Sequence, residues 1–271
     1  MSTFYDSFRS LAGISNHVRY AWLGQCGYCC QYMGKTILID PMLNDCLDSE
    51  GNTCRHYPSP VEATDFGCNF YLATHGHIDH FAPETAKKVY IRNPECKFIL
   101  PSGVVSVARS IGISEDNIIS VEPDGKEIIL DEGISVCAVS ASHPKHIYES
   151  GNPDMAVSYV LQLGNKKIIH IGDGYLTETL KKSLHAYKNP DLLLPPINGR
   201  ECEVTMGFIG NMNATEAFEL AEFLGAKLTI PTHFDMFKGN TADPLELVEA
   251  INNHSSQMKS LVPEILKIYE L

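Results

Sequence analysis

Short apolar runs separated by polar turns predict that strands and helices alternate along most of this chain. The opening predicts three antiparallel strands, over 18–23, 28–33 and 35–40. Beyond them, single strands alternate with amphipathic helices. These strands are predicted over 70–73, 97–100, 118–121, 127–130, 134–140, 156–163, 166–171, 191–194 and 227–230, and the helices over 83–92, 104–111 and 178–187. The polar segment 44–64 predicts a long loop.

One further helix has the clearest end signals in the chain. Asn213 is a preferred N-cap residue, and Glu216 follows it at the spacing of a capping box. Apolar residues then recur at helical spacing, and Gly225 suits the C-terminal end. The pattern therefore predicts a helix between Asn213 and Gly225.

Strands followed by helices occur in both halves of the chain. This order predicts two β-sheets packed face to face, with helices on the outer faces. No low-complexity tract or linker divides the 271 residues. We therefore expect a single α/β domain over residues 1–271, with residues 1–17 as a polar arm or short helix.

Composition and charge narrow the range of functions. The 21 Lys and Arg against 33 Asp and Glu give a formal net charge of −12, which disfavours nucleic acid or an anionic membrane surface as a general partner. The sequence has no apolar run of membrane-spanning length and no export signal, and its nine cysteines are an odd number. We therefore expect a cytoplasmic protein with reduced thiols.

A group of candidate metal ligands follows the predicted strand 70–73 directly. It consists of His75, His77, Asp79 and His80. Neutral imidazole and carboxylate groups suit Zn²⁺, Mn²⁺ or Fe. Two neighbouring ions would lower the pKa of water enough to give a nucleophile near neutral pH. We expect two divalent transition-metal ions, Mn²⁺ or Zn²⁺, whose remaining ligands come from elsewhere in the chain.

Three later residues are candidates for these remaining ligands, because each lies at the end of a predicted strand. They are His143, Asp173 and His233. His146 lies in the same loop as His143 and remains an alternative to it. His170 alternates with isoleucines along its strand, which predicts a packed or hydrogen-bonded histidine rather than a ligand.

Together these segments resemble the five motifs of the metallo-β-lactamase superfamily, whose αββα sandwich holds one or two metal ions at strand ends. By that resemblance, the ligands of the first metal would be His75, His77 and His143, and those of the second would be Asp79, His80 and His233. Asp173 would bridge the two ions. Asp40, which ends the predicted strand 35–40, matches the first motif and would support the ligands from behind.

The stretch that starts at Trp22, W-L-G-Q-x-G, resembles the L-ascorbate-6-phosphate lactonase-like branch, as do the segments 211–217, 230–237 and 241–244. The resemblance implies a lactonase that acts on a small phosphorylated sugar lactone, with Asp79 or Asp173 carrying the proton. The guanidinium of Arg200, near Asn198, suits the anionic group of such a substrate. Further candidate contacts near the metals are Tyr175 and Asp235.

Two other functions remain open. The same ligands suit a phosphodiesterase or nuclease, although the net charge of −12 argues against long RNA. A non-catalytic metal-binding module is the other alternative, and hydrolysis at an intact centre would exclude it. The expected partner of an enzyme is a small anionic substrate, and a homo-oligomer remains open.

Cys26, Cys29 and Cys30 form a separate candidate site inside the predicted hairpin. A C-x-x-C spacing can hold structural zinc or perform redox chemistry. Here it lacks a second pair at suitable spacing and does not precede a helix. We therefore expect these cysteines to be buried free thiols.

Overall fold

The computed structural model describes residues 16–48, 50–123, 126–143, 156–201, 203, 210–254 and 257–271. The chain divides into two compact units. Unit 1 is Met1–Val121 together with Glu264–Leu271, and unit 2 is Glu122–Pro263. Within the described residues, each unit contains one seven-stranded mixed sheet.

The sheet of unit 1 has an antiparallel and a parallel half. Its strands are β1 Arg19–Gly24, β2 Gly27–Tyr32, β3 Lys35–Ile39, β4 Phe70–Leu72, β5 Lys97–Pro101, β6 Ile118–Val121 and β14 Ile268–Glu270. β14, β1, β2 and β3 are antiparallel neighbours, and β3, β4, β5 and β6 are parallel neighbours. Because parallel strands end at the same edge, the residues after β3 lie beside those after β4.

Two amphipathic helices complete the core of unit 1. They are α1 Pro83–Arg92, which has proline at its start, and α2 Ser102–Ser110. Their buried faces share one hydrophobic cluster with the strands, which includes Tyr71, Ala86, Val89, Phe98 and Val104. This packing fixes the loop between β4 and α1 at both ends.

The long loop predicted over 44–64 is confirmed between β3 and β4. Its regular pieces, among the described residues, include a 3-10 turn at Ala63–Asp65 and a bridge between Leu47 and Thr53. The buried guanidinium of Arg55 donates hydrogen bonds to the carbonyl groups of Met42, Asn44 and Tyr57. One cation thus holds several turns of the loop together.

The sheet of unit 2 repeats the mixed arrangement. Its strands are β7 Ile128–Asp131, β8 Ile134–Ser140, β9 Val157–Leu163, β10 Lys166–His170, β11 Leu192–Leu194, β12 Leu228–Thr229 and β13 Lys259–Ser260. β7 to β10 are antiparallel, and β10 to β13 are parallel. Within the described residues, the helices of unit 2 include α3 Glu178–Leu184, α4 Ala214–Leu224 and α5 Pro244–His254.

The predicted class, α/β with two mixed β-sheets and helices, is confirmed. The helix predicted at 83–92 has these bounds, and the one after Asn213 is α4, with the predicted cap and end. The helix predicted over 178–187 is α-helical to Leu184 and continues as a 3-10 turn over His185–Tyr187. The strands β13 and β14 and the helix α5 were not predicted. None of the helices in the described ranges combines the length and apolar character of a membrane span.

Candidate functional site

Unit 1 carries its four candidate ligands in the loop between β4 and α1. The loop turns tightly, because the backbone N–H groups of His80 and Phe81 both donate to the carbonyl of His77, at 3.0 and 2.8 Å. His75 and His80 are buried, and His77 and Asp79 are half-buried. The turn thereby brings side chains from both of its ends to the same place.

These four side chains are in close contact with one another. His75 Nε2 lies 2.8 Å from His77 Nδ1, and His80 Nε2 lies 3.5 Å from Asp79 Oδ2. The rings of His75 and His80 are tilted against each other, with centroids 4.1 Å apart. The loop therefore presents imidazole nitrogens and a carboxylate oxygen as one group of donor atoms.

Asp40 supports this group of side chains through hydrogen bonds to Thr74 and His80. Its carboxylate oxygens accept hydrogen bonds from Thr74 N–H, the Thr74 hydroxyl and His80 Nδ1–H, each at 2.7 Å. Because Nδ1 of His80 is occupied, Nε2 is the nitrogen left to face Asp79 and a metal ion. Burial, and then the Asp40 charge, holds the pKa of the nearby Tyr71 well above its usual value.

Two residues of this site were not singled out from the sequence. The Thr74 hydroxyl bonds Asp40 and also lies 3.1 Å from His75 Nδ1 and 3.2 Å from His80 Nδ1, so it orients two candidate ligands. The side chain of Gln25 donates from Nε2 to Asp79 Oδ2 at 3.0 Å. The backbone carbonyl of Gln25 accepts from the indole N–H of Trp22 at 3.0 Å. The sequence did contain a signal for Gln25, because this residue lies in the W-L-G-Q stretch that resembles the lactonase-like branch.

Unit 2 carries its candidate ligands, His143, Asp173 and His233, in the loops that follow β8, β10 and β12. All three are at least 96% buried. His143 Nε2 lies 3.7 Å from Asp173 Oδ2, and His233 Nε2 lies 3.4 Å from Asp173 Oδ1. His146, the alternative to His143, falls outside the described residues.

Three donor-to-donor distances in these groups fit metal binding better than direct ion pairing, whereas His75 Nε2 and His77 Nδ1 lie at hydrogen-bond distance. Two donors that each lie about 2.1 Å from one ion at a tetrahedral angle are about 3.4 Å apart. The separations of 3.4, 3.5 and 3.7 Å match that spacing and exceed the usual length of a charge-assisted hydrogen bond. Buried imidazole and carboxylate donors at this spacing suit Zn²⁺ or Mn²⁺.

The loop that holds Asp173 packs tightly against the residue before His143. Tyr175 N–H donates to the carbonyl of Ser142 at 2.8 Å. A Cβ atom on Gly174 would lie 3.3 Å from that same carbonyl oxygen, so the close approach favours glycine. His170 is buried and accepts a hydrogen bond from Gly172 N–H, which confirms a packed, hydrogen-bonded histidine.

The residues predicted to contact substrate have distinct surroundings. Arg200 stacks on the ring of Tyr175, 4.4 Å from its centroid, and donates to Glu216 at 2.7 Å. Tyr175 also donates its hydroxyl proton to Glu203. Asn198 is buried and forms hydrogen bonds with two other asparagines, Asn211 and Asn240. Asp235 is half-buried, two residues beyond His233.

The cysteine segment is confirmed as a set of buried thiols without a disulfide. Cys26, Cys29 and Cys30 are each fully buried in the β1 and β2 region. Burial raises the pKa of Cys29 well above its usual value and that of Cys30 to about 12. A thiol that resists ionisation is a poor nucleophile and a poor metal ligand.

The comparison with known families agrees with this site. Residues 35–234 match the family model described as the Beta-lactamase superfamily domain. That range includes all seven candidate ligands, from His75 to His233. The fold and the site therefore define a member of the metallo-β-lactamase superfamily.

A more specific relationship comes from a UPF0173 metal-dependent hydrolase of Thermoplasma volcanium. It is 30% identical over 233 residues, which are 84% of this chain and 88% of the relative. The chain belongs to the UPF0173 metal-dependent hydrolase family.

Two solved structures share the fold. An isothiocyanate hydrolase from Delia radicum gut bacteria has a TM-score of 0.74 and 20% identity, covering 93% of this chain and 98% of its own. The metallo-β-lactamase fold protein YhfI from Bacillus subtilis has a TM-score of 0.64 and 14% identity, covering 95% of this chain and 100% of its own. At these identities, the likeness establishes the fold alone.

Proposed function

We propose that this protein is a metal-dependent hydrolase whose metal ligands are the buried imidazole and carboxylate groups that each unit carries at its strand ends. The observation that carries the proposal is the ligand-like spacing of buried imidazole and carboxylate groups at strand ends in each unit. Family membership supports it, because the matched domain spans both groups.

In this proposal the centre takes two divalent ions, Mn²⁺ or Zn²⁺. The ligands of the first would be His75, His77 and His143, and those of the second would be Asp79, His80 and His233. Asp173 would contact both. When bound, such ions lower the pKa of water and polarise the bond under attack.

The chain's own residues orient these groups and move the proton. Asp40 fixes the tautomer of His80, and Gln25 holds one carboxylate oxygen of Asp79. Asp79 is 13% exposed at its side chain, so it has access to solvent. Asp79 or Asp173 would then carry the proton to the leaving oxygen.

For the substrate we propose a small phosphorylated sugar lactone, such as L-ascorbate 6-phosphate. Arg200 supports an anionic group, because its side chain is 39% exposed and one of its nitrogens bonds Glu216 while others remain for a ligand. Stacking on Tyr175 holds the guanidinium plane in place. The net charge of −12 favours a small anion over a polyanion.

An activity panel tests this proposal. The purified protein is assayed with Mn²⁺ or Zn²⁺ against lactone phosphates, unphosphorylated lactones, phosphodiesters and β-lactams. We expect hydrolysis of lactone phosphates that His75→Ala or Asp173→Ala abolishes, and an Arg200→Leu variant with a raised KM for phosphorylated substrates only. Faster hydrolysis of phosphodiesters would instead assign the centre to a phosphodiesterase. An Asp173→Ala variant with full activity would place the chemistry elsewhere.

A further inference from the structure

Three buried asparagines in unit 2 are bonded head to tail. Asn211 Nδ2 donates to Asn198 Oδ1 at 3.0 Å, and Asn198 Nδ2 donates to Asn240 Oδ1 at 2.7 Å. The three residues, which we call the asparagine relay, are 0%, 7% and 8% exposed. A side-chain amide both donates and accepts, so it can occupy the middle of such a chain of hydrogen bonds.

One end of the relay is attached to the loop of Asp173. Asn211 Oδ1 accepts from the N–H of Gly174, the residue after Asp173, at 2.8 Å. The carbonyl of Gly174 in turn accepts from Met212 N–H at 2.9 Å. Asn211 and Met212 thus fix both backbone polar groups of Gly174, the residue next to the carboxylate of Asp173.

The middle and the other end of the relay are attached around His233. The residue before Asn198 donates its N–H to the carbonyl of Thr232 at 3.1 Å, directly before the histidine. Asn240 lies beyond His233, where its own N–H donates to the carbonyl of Phe237. The relay therefore connects the backbone on both sides of His233 with the backbone beside Asp173.

The relay joins the two loops that carry Asp173 and His233. His233 has a left-handed backbone, with φ of 57°, which is uncommon for histidine and persists only where surrounding contacts hold it. His233 Nε2 and Asp173 Oδ1 come from separate loops, yet lie 3.4 Å apart. Buried amide networks that are fully hydrogen-bonded can hold loops at fixed separations.

We propose that the asparagine relay is a positioning network that sets the distance between Asp173 and His233 for metal binding. This inference rests on the proposed function, because it takes both residues as ligands. Asn198 is then a residue that acts through the ligands rather than one that binds substrate. Removing a partner that orients metal ligands typically lowers metal affinity about 10- to 100-fold.

Two substitutions at the far end of the relay give a matched test. Asn240→Ala removes the acceptor of the Asn198 amide, whereas Asn240→Asp keeps an oxygen in that position. We expect the alanine variant to bind Zn²⁺ or Mn²⁺ about tenfold more weakly in chelator competition, with the aspartate variant within about twofold of wild type. The visible spectrum of the Co²⁺-loaded protein should change in the alanine variant and be restored by aspartate.

Asn198→Leu breaks the relay at its centre with little change in volume, and it should lower the affinity further. Equal metal affinity and equal Co²⁺ spectra for wild type, Asn240→Ala and Asn198→Leu would contradict the positioning role of the relay. The proposed function would be unaffected by that result. If Asn198→Leu does not fold, the pair at position 240 decides the question alone. A wild-type protein that binds no metal would overturn both the relay and the proposed function.

Discussion

Asp40 makes three hydrogen bonds of 2.7 Å with its two carboxylate oxygens, and each bond holds a part of the candidate centre. Its left-handed φ of 46° ends β3 and turns the side chain toward the neighbouring strand end. The resemblance predicted a supporting role for this residue, and the contacts with Thr74 and His80 supply a physical basis for that role. The ligands thus depend on residues that need not touch metal.

We expect Asp40→Asn to lower metal affinity about 10- to 100-fold. In one orientation the amide nitrogen of the variant would face the Thr74 N–H donor. In the other it would donate to His80 Nδ1, which would move the imidazole proton to Nε2, the nitrogen proposed to bind metal. Chelator competition with Zn²⁺ or Mn²⁺ measures the effect, and Thr74→Ser, which retains the hydroxyl, serves as the control. Wild-type metal affinity in the Asp40→Asn protein would contradict the supporting role of Asp40.

Buried thiols predict how stability changes with pH. Burial raises the pKa of Cys30 from 9.0 to about 12, so the neutral thiol is favoured in the folded state. The unfolded chain ionises first as pH rises, and the free energy of unfolding should therefore fall between about pH 9 and pH 12. Denaturant unfolding across this window measures the slope. Cys30→Ala should make the free energy of unfolding depend less steeply on pH in this window. An unchanged slope would contradict the raised pKa of Cys30.

At the scale of elements, helix ends and strand ends could be predicted because their signals are local. Asn213, Glu216 and Gly225 mark both ends of α4, and the structure contains the complete capping box and a left-handed Gly225. β14 has three residues and pairs with β1 from the opposite end of the chain, so no periodicity could reveal it.

The capping box of α4 gives a prediction for stability. Asn213 Oδ1 accepts from Glu216 N–H at 2.9 Å, and the Glu216 side chain accepts from Asn213 N–H at 3.1 Å. Asn213→Ala should lower the free energy of unfolding by about 1 kcal/mol, while Asn213→Asp, which still accepts, should stay close to wild type. Chemical denaturation compares the two. Equal stability of the alanine and wild-type proteins would show that the cap contributes nothing.

At the scale of the whole molecule, the candidate ligands could be predicted as a set, but the contacts that orient them could not. Gln25 lies 54 residues before Asp79, and the relay joins residues 42 positions apart. Only folding brings such pairs together, whereas His75 to His80 are adjacent in the sequence. Long-range polar contacts therefore decide how each unit arranges the candidate ligands that local motifs predict.

The net charge of −12 also has a different meaning once the metal ligands are considered. Divalent ions at the proposed centre would offset the charges of Asp79 and Asp173, which makes the local field more positive than the overall charge suggests. A small anion could then bind at the centre although the molecule as a whole is acidic.

The central claim is that the buried imidazole and carboxylate groups at the strand ends bind divalent metal ions. Elemental analysis of protein purified after metal-supplemented expression tests it directly, using wild type, His75→Ala with His77→Ala, and His143→Ala with His233→Ala. We expect about two ions per wild-type chain and about one in the His75/His77 variant, which keeps every proposed ligand of the second ion. The His143/His233 variant loses one proposed ligand of each ion, so we expect it to bind both more weakly. No metal in wild type, or two tightly bound ions retained by either double variant, would contradict the proposed ligands.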